Sequence, residues 1–266
     1  MKPTSIIQRL VILLITLMSA LGANAQEAYA CYTESDNTLT FYYDYNRSSR
    51  PGTTYDLNTG SNDTEWEKAG VHENVTKVIF DPSFAEARPT TTYSWFYNMQ
   101  RLLTIEGMEY LNTSEVTNMA YMFTDCTQLR SLDLSAFNTS KVTWMTYMFL
   151  GCTLLRTIYV GDGWSTTAVT TSADMFTGSE RLVGGKGTEY NSEYTDKKYA
   201  RIDEGTSNPG YFRDINTGIV TGIDQVTSDK SQVQSNEWYT IDGQKLNGMP
   251  VKKGVYIQNG KKTINN

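Results

Sequence analysis

The chain has 266 residues, of which 39% are hydrophobic and 12% aromatic, and its 29 acidic and 23 basic residues give a formal net charge of −6. This composition is typical of a folded protein, and the length fits one elongated domain or two modules. Because the acidic residues are spread along the chain and no block of Lys or Arg occurs, a phosphate backbone would be repelled and nucleic acid is not expected as a partner.

Residues 1–25 have the pattern of a secretory signal peptide. Lys2 and Arg9 precede an apolar run of twelve residues. Small Ala23 and Ala25 follow this run in the spacing of an A-x-A cleavage site. The run is shorter than the roughly 20 residues that a membrane-spanning helix needs. We therefore expect an exported protein, located at the cell surface or secreted, with no transmembrane span in the mature chain.

The next segment, residues 26–76, predicts a β-rich N-terminal cap. The stretch NTLTFYYDY, residues 37–45, alternates apolar and polar side chains, which is typical of a strand with one buried face. The polar run at 46–64 is interpreted as a loop because it is rich in Gly, Asn, Asp and Ser. We expect the cap to cover the first of the repeated units that begin near residue 77.

Two nearly identical segments lie 26 positions apart, NTSEVTNMAYMF at 112–123 and NTSKVTWMTYMF at 138–149. The apolar residues after them recur at the same spacing, and weaker copies upstream and downstream fit a spacing of 27. Three to five copies result, with degenerate outer copies, as expected when terminal repeats cap a stack.

Each copy combines two periodicities. Leu132 and Leu134 alternate with polar residues, which indicates a short strand. Val142, Met145 and Met148 are three residues apart, which indicates one face of a short helix. The predicted fold class is therefore α/β. It is a short leucine-rich-repeat-type solenoid with a parallel sheet and short helical segments, a β-rich N-terminal cap and a small C-terminal β module.

The series L-x-x-L-x-L at Leu129, Leu132 and Leu134 is joined in both copies to NTS-x-V-T-x-M-x-x-MF-x-x-C. This combination resembles the BspA-like leucine-rich-repeat surface proteins of Bacteroidetes-type bacteria, over roughly residues 31–212. The resemblance implies an exported, non-enzymatic, cell-surface solenoid, and some members of the family bind host matrix proteins such as fibronectin and fibrinogen. Ser179 stands where the pattern would have a cysteine.

The cysteines follow the same period, since Cys126 and Cys152 are 26 residues apart. Stacked segments lie about 4.8 Å apart, which is close enough for a disulfide. Equivalent positions direct their Cβ atoms the same way, however, which is poor disulfide geometry. We predict two buried thiols in a ladder.

Residues 77–212 thus form the predicted solenoid with its C-terminal cap, and the polar residues 213–236 predict a linker. In residues 237–266, the pairs Asp242-Gly243 and Asn259-Gly260 separate β-rich stretches and predict tight hairpins. This module resembles in pattern the secretion-sorting tails of exported Bacteroidetes proteins. A sorting role and local structural packing both stay open.

Residues suited to chemistry are scarce. The single histidine, His72, has no nearby Cys or Ser motif, so we predict neither a triad nor a zinc site and expect it in an exposed loop. The calcium-like run 56–67 is interrupted at Gly60 and Ser61, so it is interpreted as polar turn residues. We predict no enzymatic activity, no cofactor and no metal.

The predicted binding residues come from projecting the strands onto the open, concave face. The outward positions form two rows, one of Ile79, Glu106, Asp133 and Tyr159 and one of Asp81, Met108, Ser135 and Gly161. Mixed acidic and apolar groups favour protein recognition, although a plain solvated sheet face fits equally. We expect a cell-surface protein-interaction or adhesion module that binds a host or matrix protein. The alternatives are a carbohydrate-binding solenoid, suggested by 18 Tyr and 5 Trp, and a structural envelope protein.

Overall fold

The computed structural model describes residues 25–217, 238–240, 244–246, 249–250, 254–258 and 261–265. Residues 1–24 of the predicted signal peptide, most of the predicted linker and both predicted hairpin turns lie outside these ranges. Within the described ranges, no helix has the length and apolar character needed to cross a membrane.

The regular elements of the described residues are mainly short strands. The strands are β1 (Glu27–Thr33), β2 (Thr38–Asp44), β3 (Thr53–Asp56), β4 (Lys77–Phe80), β5 (Thr104–Glu106), β6 (Ser131–Leu134), β7 (Thr157–Val160), β8 (Phe212–Asp214), β9 (Trp238–Thr240), β10 (Lys245–Leu246), β11 (Gly254–Gln258) and β12 (Lys261–Asn265). One short α-helix, α1, spans Glu65–Lys68. Single 3₁₀ turns lie at Arg47–Ser49, Val71–Glu73, Pro82–Glu86, Met108–Tyr110, Lys197–Tyr199, Gly205–Ser207 and Ile215–Thr217.

The N-terminal strands and the first repeats share one mixed sheet, in the order β3-β1-β2-β4-β5. β1 is antiparallel to both β2 and β3, whereas β2 and β4 run parallel, with Leu39 opposite Val78 and Phe41 opposite Phe80. All four of these side chains are buried. The loop prediction for residues 46–64 is wrong at β3, because pairing with a distant strand overrides the local preference.

The middle repeats form a second sheet of three parallel strands, β6-β7-β8. Leu132 lies opposite Ile158, and Leu134 lies opposite Val160, so residues 26 positions apart are direct neighbours. Phe212 of β8 extends the first of these rows, opposite Ile158. A separate antiparallel sheet of the C-terminal segment has the order β10-β9-β11-β12.

The segments predicted as short helices are not helical, because neighbouring backbone amides donate hydrogen bonds to two different kinds of acceptor. Tyr147 N donates to Ala173 O in the next repeat at 3.1 Å, while Met148 N donates three residues back, to Met145 O at 3.3 Å. An α-helix would direct every amide four residues back. One amide therefore donates its hydrogen bond to the next repeat, and the following amide donates within its own turn.

Backbone conformation also breaks the helix at regular intervals. Two columns of positive-φ residues recur at the repeat spacing, namely Ser94, Tyr121, Tyr147 and Asp174, and Asn98, Asp125, Gly151 and Gly178. A right-handed helix has negative φ throughout, so each of these positions ends one turn and starts another.

The predicted α/β solenoid is therefore wrong. The protein is β-rich, with a mixed five-stranded sheet, a parallel three-stranded sheet and a small four-stranded sheet, and α1 has four residues. β5 and β6 belong to different sheets, so no continuous parallel sheet runs through the repeats. The repeats stack as successive turns and short strands, held together by inter-repeat backbone hydrogen bonds.

An aromatic column runs through the centre of this stack. Phe123 and Phe149 lie 5.6 Å apart at an angle of 5°, and Phe149 and Phe176 lie 5.5 Å apart at 7°. Phe96 continues the column at 5.3 Å from Phe123. All four side chains have no exposed surface, so the predicted repeat positions do form the core.

The repeated cysteines lie beside this column and donate hydrogen bonds to the backbone of the preceding repeat. Cys126 Sγ donates to Phe96 O at 3.1 Å, and Cys152 Sγ donates to Phe123 O at 3.0 Å. Both thiols are free and buried, which confirms the predicted ladder. Burial raises the pKa of Cys152 to about 12, so its thiol keeps the proton that it donates. Ser179 Oγ makes the equivalent bond to Phe149 O at 2.6 Å, which explains why serine substitutes for cysteine there.

The repeated NTS triplet also has a local explanation. Thr139, which is fully buried, donates from Oγ1 to Ser165 O at 2.7 Å and accepts from Ser165 N at 2.6 Å. Thr113 makes the same pair of bonds to Asn138 at 3.0 and 2.8 Å. Asn138 Oδ1 in turn accepts from Ser140 N at 3.0 Å. The triplet therefore turns the chain and clamps it to the next repeat.

The C-terminal cap of the repeats is organised by Asp203, which is 3% exposed. Its carboxylate accepts hydrogen bonds from Lys186 N, from Thr188 N and Oγ1, and from Gly205 N, at 2.7 to 3.0 Å. Burial acts to raise the pKa of Asp203, but the hydrogen bonds outweigh it and hold the pKa below its ordinary value.

This depressed pKa makes stability depend on pH in a definite direction. The stabilisation is fully present above the unfolded-state pKa of about 3.9 and is lost as pH falls through the lower folded-state pKa. Asp203→Asn is expected to reduce the free energy of unfolding at neutral pH and to leave a shallower loss on acidification. Urea unfolding at neutral pH and at about pH 3 measures both effects. The exposed Glu180→Gln is the control, and an unchanged acid dependence in Asp203→Asn would contradict the assignment.

Candidate functional site

The first predicted row of binding residues exists, in two groups. Ile79 lies opposite Glu106 across β4 and β5, and Asp133 lies opposite Tyr159 across β6 and β7. Arg213 of β8 extends the second group, opposite Tyr159. We call the surface formed by these residues and Lys77 the strand face. Its members are Lys77, Ile79, Glu106, Asp133, Tyr159 and Arg213. The row is interrupted between Glu106 and Asp133 because β5 and β6 are in different sheets.

The strand face carries both charge signs. Lys77 Nζ and Glu106 Oε1 form an ion pair of 2.9 Å between β4 and β5, with Ile79 half-buried beside it. Tyr159 is only 8% exposed, and burial raises its pKa while the nearby Arg213 acts to lower it. Tyr159 is therefore a neutral group that presents little surface of its own.

The second predicted row is wrong at two of its four positions, because Met108 and Gly161 are buried. Met108 is 6% exposed and belongs to the hydrophobic core. Asp81 instead caps the 3₁₀ turn after β4 by accepting from Ser83 N at 2.9 Å. Gly161 is buried against the carbonyl of Ser135, which is half-buried. The strands end one or two residues before these positions, and the chain turns inward.

A second surface, which the sequence did not indicate, lies on the turn side of the repeats. Trp144 projects from it with 47% of its side chain exposed. Beside Trp144 is a cavity of about 310 Å³, which we call the Trp144 cleft. Its lining residues are Ser61, Tyr93, Ala120, Tyr121, Trp144, Thr146 and Thr171.

A ladder of backbone pairs positions Trp144. Parallel bridges join Thr91 to Asn118, Asn118 to Trp144, and Trp144 to Thr171. Met119 N donates to Trp144 O at 2.8 Å. Because the backbone on either side of Trp144 is paired, its position relative to the neighbouring repeats is defined before any ligand binds.

The loop before α1 supplies the remaining wall. Asn118 Nδ2 donates to Ser61 Oγ at 3.0 Å, and Thr91 Oγ1 donates to Gly60 O at 2.8 Å. Asn58, part of the calcium-like run, donates from Nδ2 to Tyr93 O at 2.9 Å and accepts from Trp95 Nε1 at 2.8 Å. Asn58 therefore braces the cleft wall and is engaged in protein contacts.

Tyrosine rings form the opposite wall. Tyr121 contacts Tyr93 at a centroid distance of 5.5 Å, edge to face, and Tyr147 at 4.9 Å. Tyr121 has a φ of 60° and is half-buried. Burial raises the pKa of Tyr121, so its phenol stays neutral at physiological pH. Ala120 is almost fully buried, and its small side chain leaves room above it for the cavity.

The single histidine belongs to neither surface, and its position differs from the prediction. His72 is 9% exposed in the 3₁₀ turn Val71–Glu73, so the expected exposed loop position is wrong. The preceding helix α1 is capped by Thr64, which accepts from Glu67 N at 3.3 Å. Among the described residues, no group of three or more His, Cys, Asp or Glu side chains has an arrangement suited to a metal ion.

Residues 88–192 match the family described as Mycoplasma protein of unknown function, DUF285. The match covers less than half of the chain and includes most of the stacked repeats and every residue of the Trp144 cleft except Ser61. No curated protein and no solved structure matches the chain. The resemblance to BspA-like surface proteins stays a prediction.

Proposed function

We propose that the protein is an exported, non-catalytic cell-surface module that binds a host or matrix protein through its strand face. The observation that carries this proposal is the strand register in two groups, in which Ile79 lies opposite Glu106 and Asp133 lies opposite Tyr159. The two groups present charges of both signs and a half-buried aliphatic side chain on paired strands. Mixed polar and apolar groups of this kind suit protein recognition.

One exposed apolar side chain lies at the start of β5. Leu103, immediately before β5, is 58% exposed, although its amide bonds to Thr76 O at 2.9 Å and so fixes its backbone. An isolated exposed leucine is unremarkable on its own. Thr104 and Glu106 alternate with Ile105 on the side of Lys77 and Ile79, so Leu103 is not counted among the residues of the strand face.

Charge reversal at Glu106 tests the proposal. Binding of the full chain to immobilised fibronectin and fibrinogen is measured by surface plasmon resonance. Glu106→Lys should raise the dissociation constant about tenfold or more, because it places two like charges at the interface. The melting temperature should stay nearly unchanged, because the Lys77–Glu106 pair is exposed and such pairs contribute little to stability.

A second exposed ion pair provides the matched control. Lys141 Nζ contacts Glu115 Oε1 at 2.7 Å, and neither residue belongs to the strand face. Glu115→Lys makes the same chemical change outside the strand face and should leave binding unchanged. Binding of neither matrix protein, or an equal loss in Glu106→Lys and Glu115→Lys, would contradict the proposed function.

A further inference from the structure

The Trp144 cleft has a side chain that the fold does not need. In the backbone ladder of this surface, the positions equivalent to Trp144 are Thr91, Asn118 and Thr171. The backbone ladder therefore forms with small polar residues at this position in three repeats. In the fourth, a large aromatic side chain is held 47% exposed. A large exposed aromatic ring on rigid backbone, where packing does not require it, is typical of ligand contact.

The lining of the cleft specifies the kind of ligand. Trp144, Tyr93 and Tyr121 supply apolar ring surfaces, and Ser61, Thr146, Thr171 and the two phenols supply hydroxyl groups. Among the described residues that line the cleft, none is charged. Its volume of about 310 Å³ is at the small end of ligand-binding cavities. A small, neutral, hydroxyl-bearing ligand with one apolar face complements this lining.

We propose that the Trp144 cleft binds a neutral pyranose unit of a glycan chain, with the C–H face of the sugar stacked on the indole of Trp144. The hydroxyls of Ser61, Thr146 and Tyr121 donate to or accept from the sugar hydroxyls. Because hydroxyl groups serve as both donors and acceptors, they match the hydroxyls of a sugar without charge. The cleft is open at the surface, so neighbouring sugar units of the chain extend into solvent.

The cleft is also pre-organised, which favours binding of a polar ligand. Ser61 is held by Asn118, and the Trp144 backbone is held by the repeats on both sides. Because these contacts are present without a ligand, binding avoids much of the entropic cost of ordering a loop around the ligand.

Calorimetric titration of the full chain tests this inference. The probes are cellohexaose, maltohexaose and mannohexaose as neutral glycans, a heparin hexasaccharide as a charged glycan, and a proline-rich decapeptide as a protein ligand for an aromatic groove. We expect at least one neutral hexasaccharide to bind with a dissociation constant on the order of 1 mM or lower. We expect the heparin fragment and the peptide to show no binding.

Trp144→Thr, which installs the residue found at Thr91 and Thr171, should weaken glycan binding about tenfold or more with an unchanged melting temperature. Tyr121→Phe should weaken it about threefold, as expected for one lost hydrogen bond. The inference is overturned if no neutral glycan binds, if only heparin or the peptide binds, or if Trp144→Thr binds the glycan as well as the unchanged protein does.

This site is independent of the proposed matrix-protein surface, because it lies on the turn side of the repeats. Glu106→Lys should leave glycan binding unchanged, and Trp144→Thr should leave binding to fibronectin and fibrinogen unchanged. Loss of both activities in either variant would contradict the assignment of two separate surfaces.

Discussion

Replacing Phe149 with alanine is expected to lower the free energy of unfolding by about 3–5 kcal/mol. Phe149 has no exposed surface and stacks between Phe123 and Phe176 at 5.6 and 5.5 Å. The neighbouring repeats are held at fixed spacing by inter-repeat hydrogen bonds, such as that from Phe149 N to Met175 O at 2.8 Å. Because this backbone ladder resists collapse, most of the cavity left by the missing ring stays empty.

Urea unfolding followed by circular dichroism measures this loss. Phe149→Leu, which retains most of the volume, is expected to lose clearly less stability than Phe149→Ala. Trp144→Thr also removes an aromatic ring, but from an exposed position, and should change stability by no more than about 0.5 kcal/mol. A loss below about 1 kcal/mol for Phe149→Ala would contradict the packed aromatic column.

Gly107→Ala is expected to be the second most damaging change, at about 3 kcal/mol or more. Gly107 has a φ of 73°, which an L-residue adopts only with strain. A Cβ atom there would also lie 2.2 Å from the Phe80 carbonyl oxygen, one repeat earlier, which is well below van der Waals contact distance, and 3.2 Å from Tyr110 Cδ2. The first term is conformational strain, and the second is a backbone clash that no side-chain rotation relieves.

Gly70 separates these two contributions. It precedes a 3₁₀ turn as Gly107 does, with a φ of 72°, but a Cβ there would meet nothing within 4 Å. Gly70→Ala should therefore lose only the strain term of about 1 kcal/mol. Thermal and urea unfolding of both variants give the difference directly. Equal losses for Gly70→Ala and Gly107→Ala would show that the close approach between repeats is absent.

The core could be predicted from the sequence because the spacing of 26 residues aligns apolar side chains directly. Leu132 and Ile158 are one period apart and pair across β6 and β7. The helical prediction failed for a physical reason. Apolar residues three apart, such as Val142 and Met145, also arise when a chain makes successive turns with hydrogen bonds three residues back. The positive φ of Tyr147 gives no sequence signal, because that residue is not glycine.

The strand face could also be predicted from the repeat spacing, but the ends of the strands could not. The row containing Ile79, Glu106, Asp133 and Tyr159 follows from constant register along parallel strands. Met108 was misplaced because β5 ends at Glu106 and Gly107 turns the chain inward. The positions of these ends depend on where pairing stops, which periodicity does not determine.

The Trp144 cleft was missed because one wall comes from outside the repeats. Ser61 and Asn118, which hydrogen bond to each other, are 57 residues apart, and no repeat pattern links them. One signal was available, since Trp144 occupies a column in which the other repeats have Thr91, Asn118 and Thr171. An aromatic residue that departs from its column is the kind of feature that repeat alignment can detect.

Both proposed surfaces require that residues one period apart are direct neighbours, so nuclear Overhauser contacts between methyl groups test the account most directly. In methyl-labelled protein, cross-peaks should link Leu132 to Ile158 and Leu134 to Val160, whose parallel strands lie about 4.8 Å apart. Cross-peaks from Leu132 to Val160 without those two, or no inter-repeat cross-peak once all four residues are assigned, would contradict the stacked register.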